Sequence, residues 1–349
     1  MNSFEKTVGL IRRLSGEFRS SLRTPKGLII IGALIFFFVM PLFAPSTYLW
    51  VFGLTFPFVI MVVSWDLLVG YSGQLNLGHS VFVGVGGYTG ALLFAQERFS
   101  VYQATAWIPN VLPDIPIPIL IIIGGIASAI IGLVIGVICL RLRGFYLGLV
   151  TAVLPLIFVQ LTGVWAALLG SYEGFSLGLE ASLHPTLTGS YYFSLIAMVL
   201  CLAIMLGIIK SRWGLIFESI RDNENLARSA GINTLKYKLL AFTTSAFFAG
   251  VAGGLFVFFR HFVGIDLANV PLVLLIILGA VLGGSGTFYG PVIGGFLVYL
   301  LKMLFLGDVV EFLPIDVEPE TLLFFLLVIL ILTFPEGIYH KIQSMVGET

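Results

Sequence analysis

The chain has 349 residues, of which 58% are hydrophobic and 10% charged, and its formal net charge is zero. Soluble domains carry about 25% charged residues, so a soluble globular fold is excluded, and the neutral balance excludes bulk attraction to nucleic acid. The two cysteines, Cys139 and Cys201, both sit in apolar runs and imply neither a disulfide framework nor a metal site.

Residues 1–27 carry six Lys/Arg interleaved with Phe4, Val8, Ile11, Leu14, Phe18 and Leu22 at three-to-four spacing. That pattern predicts a basic amphipathic segment on the anionic inner leaflet. Leu28–Met40 also resembles the apolar core of a secretory signal, but the basic region is too long for one and further apolar runs follow at once.

Apolar runs then recur with lengths suited to crossing a bilayer. They predict spans at 28–44, 48–69, 77–95, 117–140, 145–169, 191–209, 237–259, 266–283, 288–306 and 320–334. The expected fold class is an all-α polytopic membrane protein of about ten helices. A transmembrane domain over 28–337 follows the N-terminal segment and precedes a cytoplasmic tail, 338–349. With both termini inside, fifteen of the eighteen Lys/Arg fall on the cytoplasmic side, leaving Arg98, Arg260 and Lys302 outside. An eight-span alternative makes 77–95 and one other segment re-entrant. The Pro- and acid-rich linkers 107–118 and 307–319 read as outer connections. Acids gather on that face, half of them within 308–320, either as what positive-inside depletion leaves behind or as a docking rim.

Gly70–Gly90 places Ser72, Gln74, Asn76, His79 and Ser80 where a helix should begin, ahead of a glycine-dense span. In lipid, irregular backbone at depth survives only where protein or a water-filled cavity satisfies it. The segment is therefore either a broken helix lining a pathway or a close helix contact through Gly86 and Gly90. Gly279–Gly295 is a second dense stretch, with Gly279/Gly283, Gly286/Gly290 and Gly290/Gly294 as small-xxx-small pairs. Val69–Gly73 and Leu282–Gly286 echo each other loosely, which suggests an internal repeat. Ser72, Gln74, Asn76, His79, Ser285 and Thr287 are the candidate pathway or gate residues.

One long polar stretch interrupts the apolar pattern, the cytoplasmic loop 210–238. Ile216, Phe217, Ile220, Ala227 and Ala230 share one helical face. Glu218, Arg221, Asp222, Glu224 and Arg228 share the other, Glu224 and Arg228 forming an i,i+4 pair. Gly231 reads as a left-handed helix stop. Such a helix is either a docking element for a cytoplasmic partner or a solvated loop. The chain has no Gly-x-x-x-x-Gly-Lys-[Ser/Thr] loop for ATP, no metal-ligand spacing and no nucleophile elbow. Carboxylates deep in spans are nearly absent, Asp66 and Asp266 falling close to span ends, which argues against an ion-coupled carrier.

Taken together, Gly70–Gly90, Ser219–Gly254 and Gly283–Gly295 resemble LivM-type permease subunits of bacterial branched-chain amino acid ABC importers. Urea and short-chain amide permeases look similar, so the motifs bear less on substrate. The resemblance implies a type II-like importer permease in a bacterial inner membrane, without an ATPase motif of its own. It implies a LivH-type second permease, two cytoplasmic ATPases that bind the ATP, and an extracytoplasmic solute-binding protein. It also implies that the helix over 216–231 is the coupling helix. Glu218, Arg221, Asp222, Glu224 and Arg228 would then meet the ATPase, Phe217 and Ile220 would enter its groove, and Gly231 would end the helix.

Overall fold

The computed structural model describes residues 25–101, 113–142, 144–305, 319–333 and 337–339. Most of the basic segment 1–27, nearly all of the acid-rich linker 307–319 and most of the tail 338–349 lie outside the described residues. The chain divides into two compact units, Met1–Leu49 and Trp50–Thr349. In the first, helix α1 (Pro25–Val39) runs into a single 3-10 turn, Met40–Leu42, begun by Pro41. Ile35, Phe36, Phe38, Leu42 and Phe43 are exposed there.

The second unit is a helical bundle. Its elements are α2 (Ser46–Ser72, entering from Trp50), α3 (His79–Phe94), α4 (Ile117–Cys139), α5 (Phe145–Ala152), α6 (Leu154–Val164) and α7 (Leu187–Ile209). There follow α8 (Arg212–Asp222), α9 (Glu224–Ser229), α10 (Thr234–Arg260), α11 (Val270–Gly283), α12 (Tyr289–Leu300) and α13 (Pro319–Thr333). Helices thus occur at every predicted span, but their lengths differ from expectation. Among the described residues six are long and apolar enough to cross a membrane: Ser46–Ser72, Ile117–Cys139, Phe145–Val164, Leu187–Ile209, Thr234–Arg260 and Ile265–Gly283. The expected span 145–169 is interrupted at Val153, because Pro155 at the start of α6 has no N–H to continue the ladder.

Burial separates inner from outer helices. The most apolar windows of α2 and α10 are 94% and 78% buried, whereas those of α4 and α7 are 33% and 28% buried. The outer helices turn Ile122, Ile126, Ile130 and Val134 of α4 and Ile196, Leu200 and Ile204 of α7 outward, as lipid-facing surfaces do. Inside, α3, α4 and α10 meet backbone to backbone. A Cβ on Gly86 would run into Gly250, one on Gly124 into the Gly86 carbonyl, and one on Gly253 into the Val83 carbonyl. Ser128 Oγ donates to the Phe82 carbonyl across the same interface (2.7 Å). Helices α11 and α12 form a hairpin that closes in the same manner, Gly283 against Gly290 and Gly279 against Gly294.

Three loops knit together at one end of this unit. Phe175–Ser176 (β1) pairs antiparallel with Phe262–Val263 (β2), Phe175 opposite Val263 and Ser176 opposite Phe262. Arg98 donates to the Leu168 and Ala167 carbonyls (2.9 and 3.0 Å) and its guanidinium lies 3.9 Å over the Phe175 ring. Asp266, expected close to a span end, is bidentate to Arg260 (2.6 and 3.1 Å).

Candidate functional site

The opposite end carries the polar loop and both glycine-rich turns. After Ser72 the chain leaves α2 through Gly73 at φ +69°, a left-handed conformation that favours glycine. It then runs without regular secondary structure over residues 73–78, back along α2. His79 Nε2 lies 2.9 Å from Ser64 Oγ, and Trp65 Nε1 donates to the Asn76 carbonyl (2.8 Å). Ser64 is about 12 Å along the helix from Ser72, so α3 begins well inside the bundle. At 16 residues, α3 is about 24 Å long, short of a hydrocarbon core of about 30 Å.

Side chains satisfy this irregular backbone. Leu77 N–H donates to Thr151 Oγ1 on α5 (3.0 Å), Gly78 N–H to Asn76 Oδ1 (2.9 Å), and Gln74 Nε2 to the Ser72 carbonyl (2.8 Å). Ser72 Oγ bonds back to the Leu68 carbonyl (2.7 Å), and Ser245 Oγ of α10 donates to the Ser64 carbonyl (2.6 Å). Ser72, Gln74, Asn76 and His79 are all buried inside this chain. Asn76 Nδ2, His79 Nδ1 and Ser80 Oγ are buried with no hydrogen-bond partner in the protein. The helix is therefore broken, and protein packing supports the break.

The two turns that echo each other in sequence touch. Asp66, 1% exposed, accepts hydrogen bonds from Ser285 Oγ (2.5 Å) and from Gly286 N–H (2.9 and 3.2 Å to its two oxygens). Gly70 allows this approach, since a Cβ there would strike the Asp66 carboxylate and come within 2.6 Å of Gly286 N. Gly284 and Gly286 take φ +114° and +79°, and Gly337 packs against Gly284 from the far end of the sequence. Thr287 Oγ1 donates to the Gly284 carbonyl (2.7 Å) and accepts from Gly290 N–H (3.2 Å), closing the turn into α12. Ser285 and Thr287 thus hold the turn, and Gly286 is a turn glycine instead of a helix-packing one.

The polar loop is two helices where one was expected. Ser211 caps α8 by accepting from Trp213 N–H (3.1 Å). Asn223 breaks the helix at φ −158°, ψ 99°, and its Oδ1 caps α9 by accepting from Asn225 and Leu226 N–H (3.1 Å each). The stop at Gly231 has φ +85°, with Gly231 N–H to the Arg228 carbonyl (3.0 Å) and Ile232 N–H to the Ala227 carbonyl (3.1 Å). This paired pattern is a Schellman closure.

The apolar face of the loop points inward, which corrects the groove-filling role expected of it. Phe217 and Ile220 are 0% and 3% exposed within this chain and are not free to enter a partner's groove. Glu224 is also turned home: Lys238 Nζ donates to its Oε2 (2.7 Å), while Arg228 Nη2 and Thr234 Oγ1 donate to its Oε1 (3.1 and 3.3 Å). Arg221, its side chain 36% exposed, also reaches across to the end of α2. Its Nη1 donates to the Gly70 carbonyl (2.7 Å) and its Nε to Asp222 Oδ1 (3.1 Å). The loop presents outward Leu215 and Leu226, each 67% exposed, and also Trp213, Asp222 and Arg228. Reading one helix through Asn223 hid Leu226, although an asparagine ahead of a polar turn is an N-cap signature.

A helical bundle with lipid-suited outer faces, broken helices and an anchored polar loop defines a multi-pass membrane protein. The chain belongs to the family described as branched-chain amino acid transport system / permease component, whose model matches residues 47–334. It is 30% identical over 281 residues to the high-affinity branched-chain amino acid transport system permease protein LivM of Escherichia coli (strain K12), a match covering 72% of this chain and 62% of that protein. It is 24% identical over 334 residues to a probable branched-chain amino acid transport permease protein LivM of Methanocaldococcus jannaschii, covering 86% of this chain and 92% of that one. A probable LivH permease of the same archaeon is 25% identical over 203 residues, 56% of this chain and 64% of its own length. No solved structure matches the chain. The LivM-type resemblance read from the three motifs is thereby borne out.

Proposed function

We propose that this chain is the membrane-spanning permease subunit of an ATP-driven importer for branched-chain or related amino acids, working by alternating access. The observation that carries this reading is the family match across residues 47–334. In this reading the chain crosses a bacterial inner membrane ten times with both termini inside, the short α3 and α12 crossing with the help of their glycine turns. It pairs with a LivH-type permease, takes substrate from an extracytoplasmic solute-binding protein, and has no enzymatic activity or cofactor of its own. ATP is bound by two cytoplasmic ATPase subunits that dock on the polar loop. The exposed Leu215, Leu226, Asp222 and Arg228 supply the docking surface, with Glu218 at its edge.

Uptake of labelled leucine and of urea by proteoliposomes holding the assembled complex tests the reading. ATP-dependent leucine uptake is the expected result; urea uptake alone moves the chain to the amide-importing branch, and uptake of neither removes the reading. The loop assignment has its own test. Leu226→Asp should weaken ATPase co-purification without destabilising the chain, whereas Ile220→Asp should destabilise the chain itself by several kcal/mol, roughly 3–5, because it buries an unpaired charge.

A further inference from the structure

We infer that Arg221 is an intrachain strut, a positioning residue that makes α8 and the two glycine turns move as one body, instead of a contact to a partner. Four observations converge on it. Its guanidinium, made always charged by its chemistry, donates to the Gly70 carbonyl at 2.7 Å. Gly70 is itself pressed on Asp66 and Gly286 with no room for a Cβ, and Asp66 holds Ser285 and Gly286. Gly73 lies so close to α8 that a Cβ there would be 3.1 Å from Arg221 Cγ and 3.4 Å from Arg221 Cβ. A Cβ on Gly286 would lie 3.3 Å from Arg221 Nη1. One side chain therefore spans from the polar loop to the end of α2, the start of the irregular segment and the α11–α12 turn. Close-packed backbone with a charge-assisted hydrogen bond transmits displacement instead of absorbing it.

The consequence for transport rests on the permease reading. A push on α8 from an ATPase reaches α2 and the α11–α12 hairpin through Arg221, so losing the side chain uncouples hydrolysis from transport while leaving the docking surface around Leu226 in place. Arg221→Met is expected to lower leucine uptake about tenfold, the loss of one charge-assisted hydrogen bond. It should also lower the ratio of substrate-stimulated to basal hydrolysis, and the ATPases should co-purify as with the parent. Arg221→Lys, which can still donate to the Gly70 carbonyl, should recover part of the loss.

The decisive variant replaces the strut by a covalent bond. The 3.4 Å Cβ separation sits at the edge of disulfide geometry, about 3.5–4.5 Å. In a background lacking Cys139 and Cys201, Gly73→Cys with Arg221→Cys should close a bridge on oxidation. Arg221→Cys alone should be uncoupled; the oxidised pair should regain coupled uptake and lose it on reduction, with Gly73→Cys alone reporting the cost of a side chain at positive φ. A bridge shown by mass spectrometry that leaves the pair uncoupled overturns the strut, as does Arg221→Met that loses the ATPases altogether. Hydrogen exchange on the purified chain tests the linkage without any transport. Arg221→Met should speed exchange in both turns, 70–76 and 284–288, and unchanged exchange in either overturns it. A parental complex that takes up neither leucine nor urea removes the permease reading, and the strut is then decided by exchange.

Discussion

Gly70–Gly90 and Gly279–Gly295 are matched in glycine content and each leads into a short helix, yet they are built on different principles. In the first, the irregular backbone is long. Six residues without regular structure lie between α2 and α3, and neighbouring side chains, Thr151 and Trp65 among them, supply hydrogen bonds to them. The glycines that follow, Gly86 above all, serve helix packing on two sides at once. In the second, the turn is tight and made by the glycines themselves, Gly284 and Gly286 at positive φ, and Gly290 and Gly294 fold α12 back onto α11 and its end, while Gly295 lies against Val59 of α2. Glycine density marks places where backbones approach, but only the polar residues beside it say whether the backbone there is irregular and rescued or turned and self-contained.

The largest expected effect tests the packing half of this contrast. Gly86→Leu meets the α10 backbone at Gly250, which is itself packed against Ser128 and Gly124 of α4, so α10 has no room to give way. It should cost about 3 kcal/mol or more and yield little folded protein, measured as thermal unfolding in detergent. For Gly294→Leu, the nearest atoms all belong to α11, so the strain falls on one hairpin and the cost should stay within about 1–3 kcal/mol. Equal losses for the two would erase the distinction between a three-helix and a two-helix contact.

A smaller effect tests the rescue of the irregular segment. Thr151→Val keeps the shape of the side chain but removes, at a residue that is itself fully buried, the acceptor for Leu77 N–H, and should cost about 1–3 kcal/mol. Thr287→Val removes the acceptor for Gly290 N–H at a half-buried residue, where water can substitute, so about 1 kcal/mol is expected. Hydrogen exchange should locate the first loss at residues 73–78 and the second at the start of α12. A larger loss at Thr287 would mean that the second turn, too, depends on borrowed hydrogen bonds.

Much of this architecture was legible in the sequence, and the misses have physical causes. Apolar runs located a helix at each expected span, because hydropathy reports what lipid requires. Length was less legible, since α3 and α12 are short where glycine turns shift the backbone before the helix begins. The stop at Gly231 was readable because a left-handed position nearly demands glycine. Amphipathicity gave the polar loop two faces without saying who covers each, so Phe217 and Ile220 were offered to a partner when this chain buries them. Asp66, noted only as lying near a span end, proved to be the anchor of Ser285 and Gly286. That pairing joins positions some 220 residues apart, and no local pattern in one sequence reports it. Trp65, Ser64 and Ser245 were missed for a related reason: each sits mid-helix, where an aromatic or a small hydroxyl looks like ordinary packing.

The smallest expected effect separates conformational from steric use of a turn glycine. Gly73 and Gly231 have similar torsions, φ +69° and +85°, but different surroundings. Nothing lies within 4 Å of a Cβ added at Gly231, whereas one at Gly73 meets Arg221 at 3.1–3.4 Å. Gly231→Ala should therefore pay only the left-handed penalty, about 1 kcal/mol, and Gly231→Asn less, because Asn tolerates that region. Gly73→Ala carries the same torsional cost plus the displacement of Arg221, so it should destabilise more and also lower coupled uptake. Both can be followed by thermal unfolding of the purified chain, with uptake measured alongside. If Gly73→Ala costs no more than Gly231→Ala and leaves uptake intact, the close approach between α8 and the end of α2 carries no energy of its own. The positive φ alone would then explain why glycine stands at residue 73.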